Sequence, residues 1–198
     1  MNYSKIEKDV AEFVRNSYTT SEAQYPYHNL AHTVDVVQHV GEIGAYFLLS
    51  APEQFIVRVA AWFHDIGHLD GDMPGHEARG VAIMQDCLGP LGVSNTLMAG
   101  ITDCIMATVY PSNPRGLYEQ ILCDADTFHF GTSRFRDTDM LVRKEVELRT
   151  GKLFPDWHLK SLKLLVEHQF FTVYCRQMLD AGKQDNIKWL RSLVSPIG

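Results

Sequence analysis

Apolar residues recur at three- and four-residue intervals along most of this chain, the spacing of helices that turn one face to a core. Val34, Val37, Val40, Ile43 and Phe47 make one stripe, and Phe55, Ile56, Val59, Ala60 and Phe63 make another. Breaks rich in Gly, Pro, Asn and Asp separate the stripes at "AQYPYHN", "LDGDMPG", "LGPLGVSN", "YPSNPRG", "RTGKLFPD" and "DAGKQDN". The pattern predicts about eight helices, near 4–17, 29–50, 52–68, 76–89, 94–110, 117–130, 134–150 and 156–181, with a short one near 184–194. Ser4 with Glu7, and Ser50 with Glu53, have capping-box spacing, and Pro52 suits a first helical turn. No alternating strand pattern persists, and there is no repeat, low-complexity tract or linker. The expectation is one all-α domain over residues 1–198, a helical bundle with its motifs at about 25–131 and helices from about 134 to 195 packed on that core.

Composition narrows the partners. The chain has 198 residues, 45% hydrophobic and 21% charged, which suits a globular domain with a substantial core. A net charge of −6 argues against wrapping nucleic acid, so an anionic substrate needs a local positive centre. The N-terminus lacks a signal-peptide pattern and no run is apolar for the ~18 residues of a membrane span, so cytoplasm is the expected address. The four cysteines are scattered without a CxxC pair and read as reduced thiols. A homodimer is left open.

Candidate chemistry gathers in "AAWFHDIGHLDG", residues 60–71, where an apolar run leads straight into His64 and Asp65, with His68 one turn on. His28, His32, His39 and His76 lie nearby in sequence, and "CDAD" follows at 123–126. On a helix His28 and His32 would share a face, whereas neighbours such as His64 and Asp65 diverge by ~100°. That divergence suits a carboxylate shared between an ion and a second ion or a water. His32, His64, Asp65 and Asp126 would satisfy one divalent ion and leave positions open for water and substrate. Coordination would offset the cost of burying the pair. Each residue also has an ordinary reading, since a helical histidine is commonly a surface or core residue and Asp124 or Asp126 could cap a helix.

The ordered pattern His32, His64–Asp65, Asp126 resembles the HD superfamily of metal-dependent phosphohydrolases, all-α proteins named for their His-Asp pair, over roughly residues 25–131. The resemblance implies that these four residues bind the metal and that Asp65 bridges two ions. "YHNLAHTVDVVQ", residues 27–38, is also similar to a segment of cyclic-nucleotide phosphodiesterases, which would make His28 the proton donor to the leaving oxygen. "HDIGH…GHEARGVAIM" is similar to the "HDIGK…HEELGAEML" arrangement of two-metal members. His68 stands where those proteins carry a phosphate-contacting Lys, and His76 stands at the second-metal position. Such members usually supply a further His on the next helix, and "ITDCIMATVYP" has none. The resemblance therefore implies one tight ion (Mn, Fe, Co, Ni, Zn or Mg), with His68 and His76 touching phosphate or a weak second ion.

The function so implied is hydrolysis of a phosphate mono- or diester, a nucleotide or similar small molecule, by metal-activated water, with His28, Asp65 and His68 as catalytic residues. Arg134 and Arg136 are lesser phosphate candidates. The alternatives are an HD-type diiron oxygenase and a nucleotide-binding sensor without turnover.

Overall fold

Helix α1, Tyr3–Thr20, begins at Asn2, whose side chain accepts from the Lys5 N–H at 3.1 Å. Asn2 takes the cap that the sequence pattern gives to Ser4, and Glu7 instead accepts from Arg58 Nε at 2.7 Å. The computed structural model describes residues 1–194, which hold nine α-helices and no strand. They divide into two compact units, residues 1–24 with 28–126, and Tyr25–Tyr27 with the residues from Thr127 onward. Residue 195, where the expected C-terminal helices end, lies outside the described residues.

In the first unit α2, Leu30–Tyr46, and α3, Ala51–Phe63, are followed by α4, His76–Leu88, α5, Asn95–Ala107, and α6, Leu117–Asp126. The Ser50–Glu53 capping box forms, with the Ser50 N–H donating to Glu53 at 2.7 Å. Helix α3 packs against α1, α2, α5 and α6, so it is enclosed on nearly every side. Its buried residues run Phe55–Val57 and Val59–Phe63, which accounts for the unbroken apolar lead into His64.

Two expected helices are shorter than their apolar patterns. The 52–68 helix stops at Phe63, and the chain tightens into a 3-10 turn at Ile66–Leu69. The cause is tertiary: a Cβ at Gly67 would lie 2.0 Å from the His76 carbonyl oxygen, so backbone meets backbone where α4 begins. The 117–130 helix likewise ends at Asp126, before a second 3-10 turn at Phe128–Gly131.

In the second unit α7, Phe135–Thr150, precedes α8, Trp157–Glu167, and α9, Val173–Val194. The expected 156–181 helix breaks after Glu167, and Thr172 opens α9 by accepting from the Cys175 N–H at 3.2 Å. Helix α9 then runs through "DAGKQDN" without a turn. Gly182 is there for contact, because a Cβ on it would lie 2.0 Å from the Gly131 carbonyl oxygen. Asn186 secures the same approach by donating to the Phe130 and Thr132 carbonyls at 3.0 and 2.8 Å. Tyr25–Tyr27 joins this unit through Tyr27 N–H, which donates to Glu145, and through Arg149, which lies over the Tyr25 ring. Arg136 packs over Trp189. Among the described residues no helix is long and apolar enough to cross a membrane.

Candidate metal centre

Asn29 starts the site. Its side-chain oxygen accepts from the Ala31 and His32 N–H groups at 2.9 and 3.2 Å, so α2 begins at Leu30 and His28 stays outside it. The expected shared helical face of His28 and His32 is therefore absent, and their rings sit edge-on with centroids 6.1 Å apart. This freedom lets His28 turn to His68, with ring centroids 4.2 Å apart.

His64 is the C-cap of α3, and Asp65 leaves the helix with φ −111° and ψ −3°. The pair is buried, as the apolar approach predicts, and Asp65 sits in the turn that follows the helix end. Asp126 is the last residue of α6. His32 Nε2 is 3.2 Å from Asp65 Oδ2 and 3.1 Å from Asp126 Oδ1. His64 Nε2 is 3.2 Å from the same Asp65 oxygen and 3.4 Å from His32 Nε2. His64 Nδ1 donates to the Ala61 carbonyl at 2.8 Å, which aims Nε2 into the cluster.

The other oxygen of Asp65 faces away. Oδ1 lies 3.5 Å from His76 Nε2 and 3.9 Å from His68 Nε2. His68 and His76 stack with centroids 3.8 Å apart, and His76 Nδ1 donates to the Met73 carbonyl at 2.9 Å. The seven residues given a site role by the HD resemblance thus fall in one place, whereas His39 pairs with Glu42 and Arg136 packs over Trp189. The seven make two halves that share Asp65: His32, His64 and Asp126 on one side, His28, His68 and His76 on the other.

The chemistry of the first half asks for a cation. Asp65 Oδ2 is buried and accepts no well-formed hydrogen bond, although two imidazole nitrogens face it. Burial pulls the His32 imidazole down, yet the adjacent Asp126 and Asp65 carboxylates overcome it and lift the pKa to about 9. His64 is likewise raised well above the usual histidine range: burial opposes the charge, and Asp65 and Asp126 outweigh it. Burial works against ionised Asp65 too, but the charges of His64 and His28 hold its carboxyl well below the usual range. Buried Asp65 and partly exposed Asp126 thus keep positive charge beside them, as protons or as a metal. His32, His64 and Asp126 offer ligand atoms within 4.8 Å of one another, and so do His28, Asp65 and His68. Asp126, its side chain 29% exposed, is the solvent-accessible member of the first half.

An all-α scaffold whose helix ends converge on a buried His-Asp pair defines a class of metal-centred helical proteins. The HD domain family model matches residues 29–131, just over half of the sequence, and the chain belongs to that family. It is similar in fold to a predicted HD superfamily hydrolase from an uncultured Thermotogales bacterium, with a TM-score of 0.63 and 18% identity, covering 96% of this chain and 92% of that one. Comparison with the curated proteins finds no match.

Sequence reasoning missed Asn29, which sets where α2 starts, and Arg79, which holds the loop between His68 and His76. Asn29 carried a readable signal, a good cap residue just ahead of an apolar-periodic run. Arg79 carried none, because its partners are backbone carbonyls.

Proposed function

We propose that this chain is a metal-dependent phosphohydrolase acting on a phosphate mono- or diester of a nucleotide or similar small molecule. The observation that carries the reading is the convergence of His32, His64, Asp126 and Asp65 Oδ2 on one buried point. These residues would hold one tight divalent ion (Mn, Fe, Co, Ni, Zn or Mg), which supplies Lewis acidity that makes water a nucleophile near neutral pH and neutralises charge at phosphorus.

The chain's own residues do the rest. His64 is fixed by the Ala61 carbonyl, so its ring does not have to reorganise during turnover. Asp65 bridges the two halves. His68 and His76, stacked beside Asp65 Oδ1, are the residues we assign to the substrate phosphate, and membership of the HD family supports the hydrolase reading in general. Burial disfavours charge on His76, but its hydrogen bond to Asp65 outweighs this and keeps Nε2 protonated more readily than usual. His28, half-buried at the rim beside His68, is placed to give a proton to the leaving oxygen.

A second ion between the halves is the other reading. The close ligand atoms of His28, Asp65 and His68 favour it, even though α5 lacks the histidine usual in two-metal relatives. With iron in both seats the same centre would serve oxygenase chemistry.

Elemental analysis of protein purified without added metal, followed by a panel of phosphate mono- and diesters, tests the proposal. The expected result is a bound divalent metal and hydrolysis abolished by chelation and by Asp65→Ala. Tight nucleotide binding without turnover across several metals would select a sensor instead. Dioxygen consumption by the iron-loaded protein would select an oxygenase.

A further inference from the structure

Three carbonyl oxygens of one loop converge on a single guanidinium. Arg79 Nε donates to the Gly67 carbonyl at 3.0 Å, one terminal nitrogen donates to Pro74 at 3.1 Å, and the other donates to Asp72. All three acceptors lie in residues 67–75, the connection between the turn that carries His68 and the helix that opens with His76. That connection is held in part by the His76 Nδ1–H, which donates to the Met73 carbonyl, and Arg79 adds three further bonds to it. Gly71 and Gly75 adopt φ of 107° and 77°, and Gly71, Asp72, Pro74 and Gly75 are exposed.

We propose that Arg79 is a positioning residue for the histidine half of the centre, strapping residues 67–75 so that His68 and His76 meet Asp65 Oδ1 together. The inference rests on the reading that this half receives the substrate phosphate. Arg79 sits three residues after His76 on α4, so its side chain ties the loop back to the helix that carries one of the two rings. The stack of His68 on His76, at 3.8 Å and 20°, is the arrangement the strap preserves. His32, His64 and Asp126 come from α2, the end of α3 and α6, outside the strapped segment. Loss of Arg79 would loosen one half of the site and spare the other. A lysine cannot replace it, because one ammonium lacks the planar fork that reaches several carbonyls at once.

The test uses the full-length, zinc-loaded protein with Arg79→Ala and Arg79→Lys. Three quantities are read: bound zinc, the imidazole nitrogen NMR signals of His68 and His76, and affinity for inorganic phosphate. Both variants are expected to keep the tight zinc and the signals of His32 and His64. The His68 and His76 signals should shift or broaden, and phosphate affinity should fall about 10–100-fold, the usual cost of losing an outer support of a metal site. Millimolar guanidinium should restore affinity to Arg79→Ala. Folded variants with unchanged His68 and His76 signals and unchanged phosphate affinity would overturn the proposal. So would loss of zinc and of all four histidine signals together, which would mean a general structural role. If Arg79→Ala fails to fold, the Lys variant decides by the same readouts. A wild-type protein that ignores phosphate would sink the reading of the histidine half, while the imidazole signals still judge the strap.

Discussion

A Cβ placed on Gly80 would lie 2.6 Å from the carbonyl oxygen of Phe63, closer than any side chain tolerates. Helix α4 therefore crosses the end of α3 backbone to backbone, just before the His64–Asp65 pair. Gly80→Ala should push that crossing apart at the residue preceding His64. The expected cost is about 1–3 kcal/mol of stability, typical of an added methyl with no room to relax, together with weakened metal binding. Urea unfolding and a metal titration check it, and unchanged values in both would show that the contact is loose.

Asp65 and Asp126 both approach His32, but they differ in what they share. Asp65 serves both halves of the centre, and Asp126 serves only the first. Asp65→Ala is expected to lose the metal and at least ~100-fold in activity, since even outer supports of a metal site cost that much. Asp126→Ala should weaken the tight ion while leaving the His68 and His76 signals in place. Metal content, together with the same imidazole spectra, separates the two outcomes. Equal effects on every histidine would contradict the division.

The helices were legible because α3 and its neighbours obey simple periodicity, and the His-Asp cluster was legible because histidine and aspartate are costly to bury without a use. What escaped is set by contacts between segments remote in sequence. Nothing local in "AAWFHDIGHL" says that the helix stops at Phe63; the His76 backbone against Gly67 does. "DAGKQDN" looks like a turn, yet it stays helical because Gly182 packs on Gly131. The placement of His28 beside His68 follows from the Asn29 cap, a local feature overlooked in favour of the four-residue spacing to His32.

Leu48 closes α2 in a conformation that suits glycine, with φ 54°. The Leu49 N–H donates to the Gly44 carbonyl at 3.0 Å and the Leu48 N–H to Ala45 at 3.1 Å, the paired bonds of a Schellman cap. Its side chain is 88% exposed, so truncation removes almost no packing. Leu48→Gly should stabilise the protein by about 0.5–1 kcal/mol and raise Tm by roughly 2–3 °C. A lower Tm would mean that Leu48 is covered in solution.

His168 makes acid tolerance a property of the second unit. Burial, reinforced by the Lys183 charge, pushes its imidazole down to about 4, and its Nε2 meets Thr127 Oγ1 at 3.1 Å. In the unfolded chain the same group takes up a proton near pH 6.5. Between those values unfolding binds a proton that the folded state refuses, so stability falls as pH drops through the window and is unaffected by this group above it. The full penalty below pH 4 is about 3 kcal/mol. His32, His64 and His76 titrate in the other sense, so the effect must be read as a difference between variants. His168→Gln keeps a neutral polar group facing Thr127 and removes the titration. Its urea midpoint should therefore decline less than the wild type's between pH 7 and pH 4.5. Parallel declines would show that His168 is already protonated in the folded protein at pH 4.5.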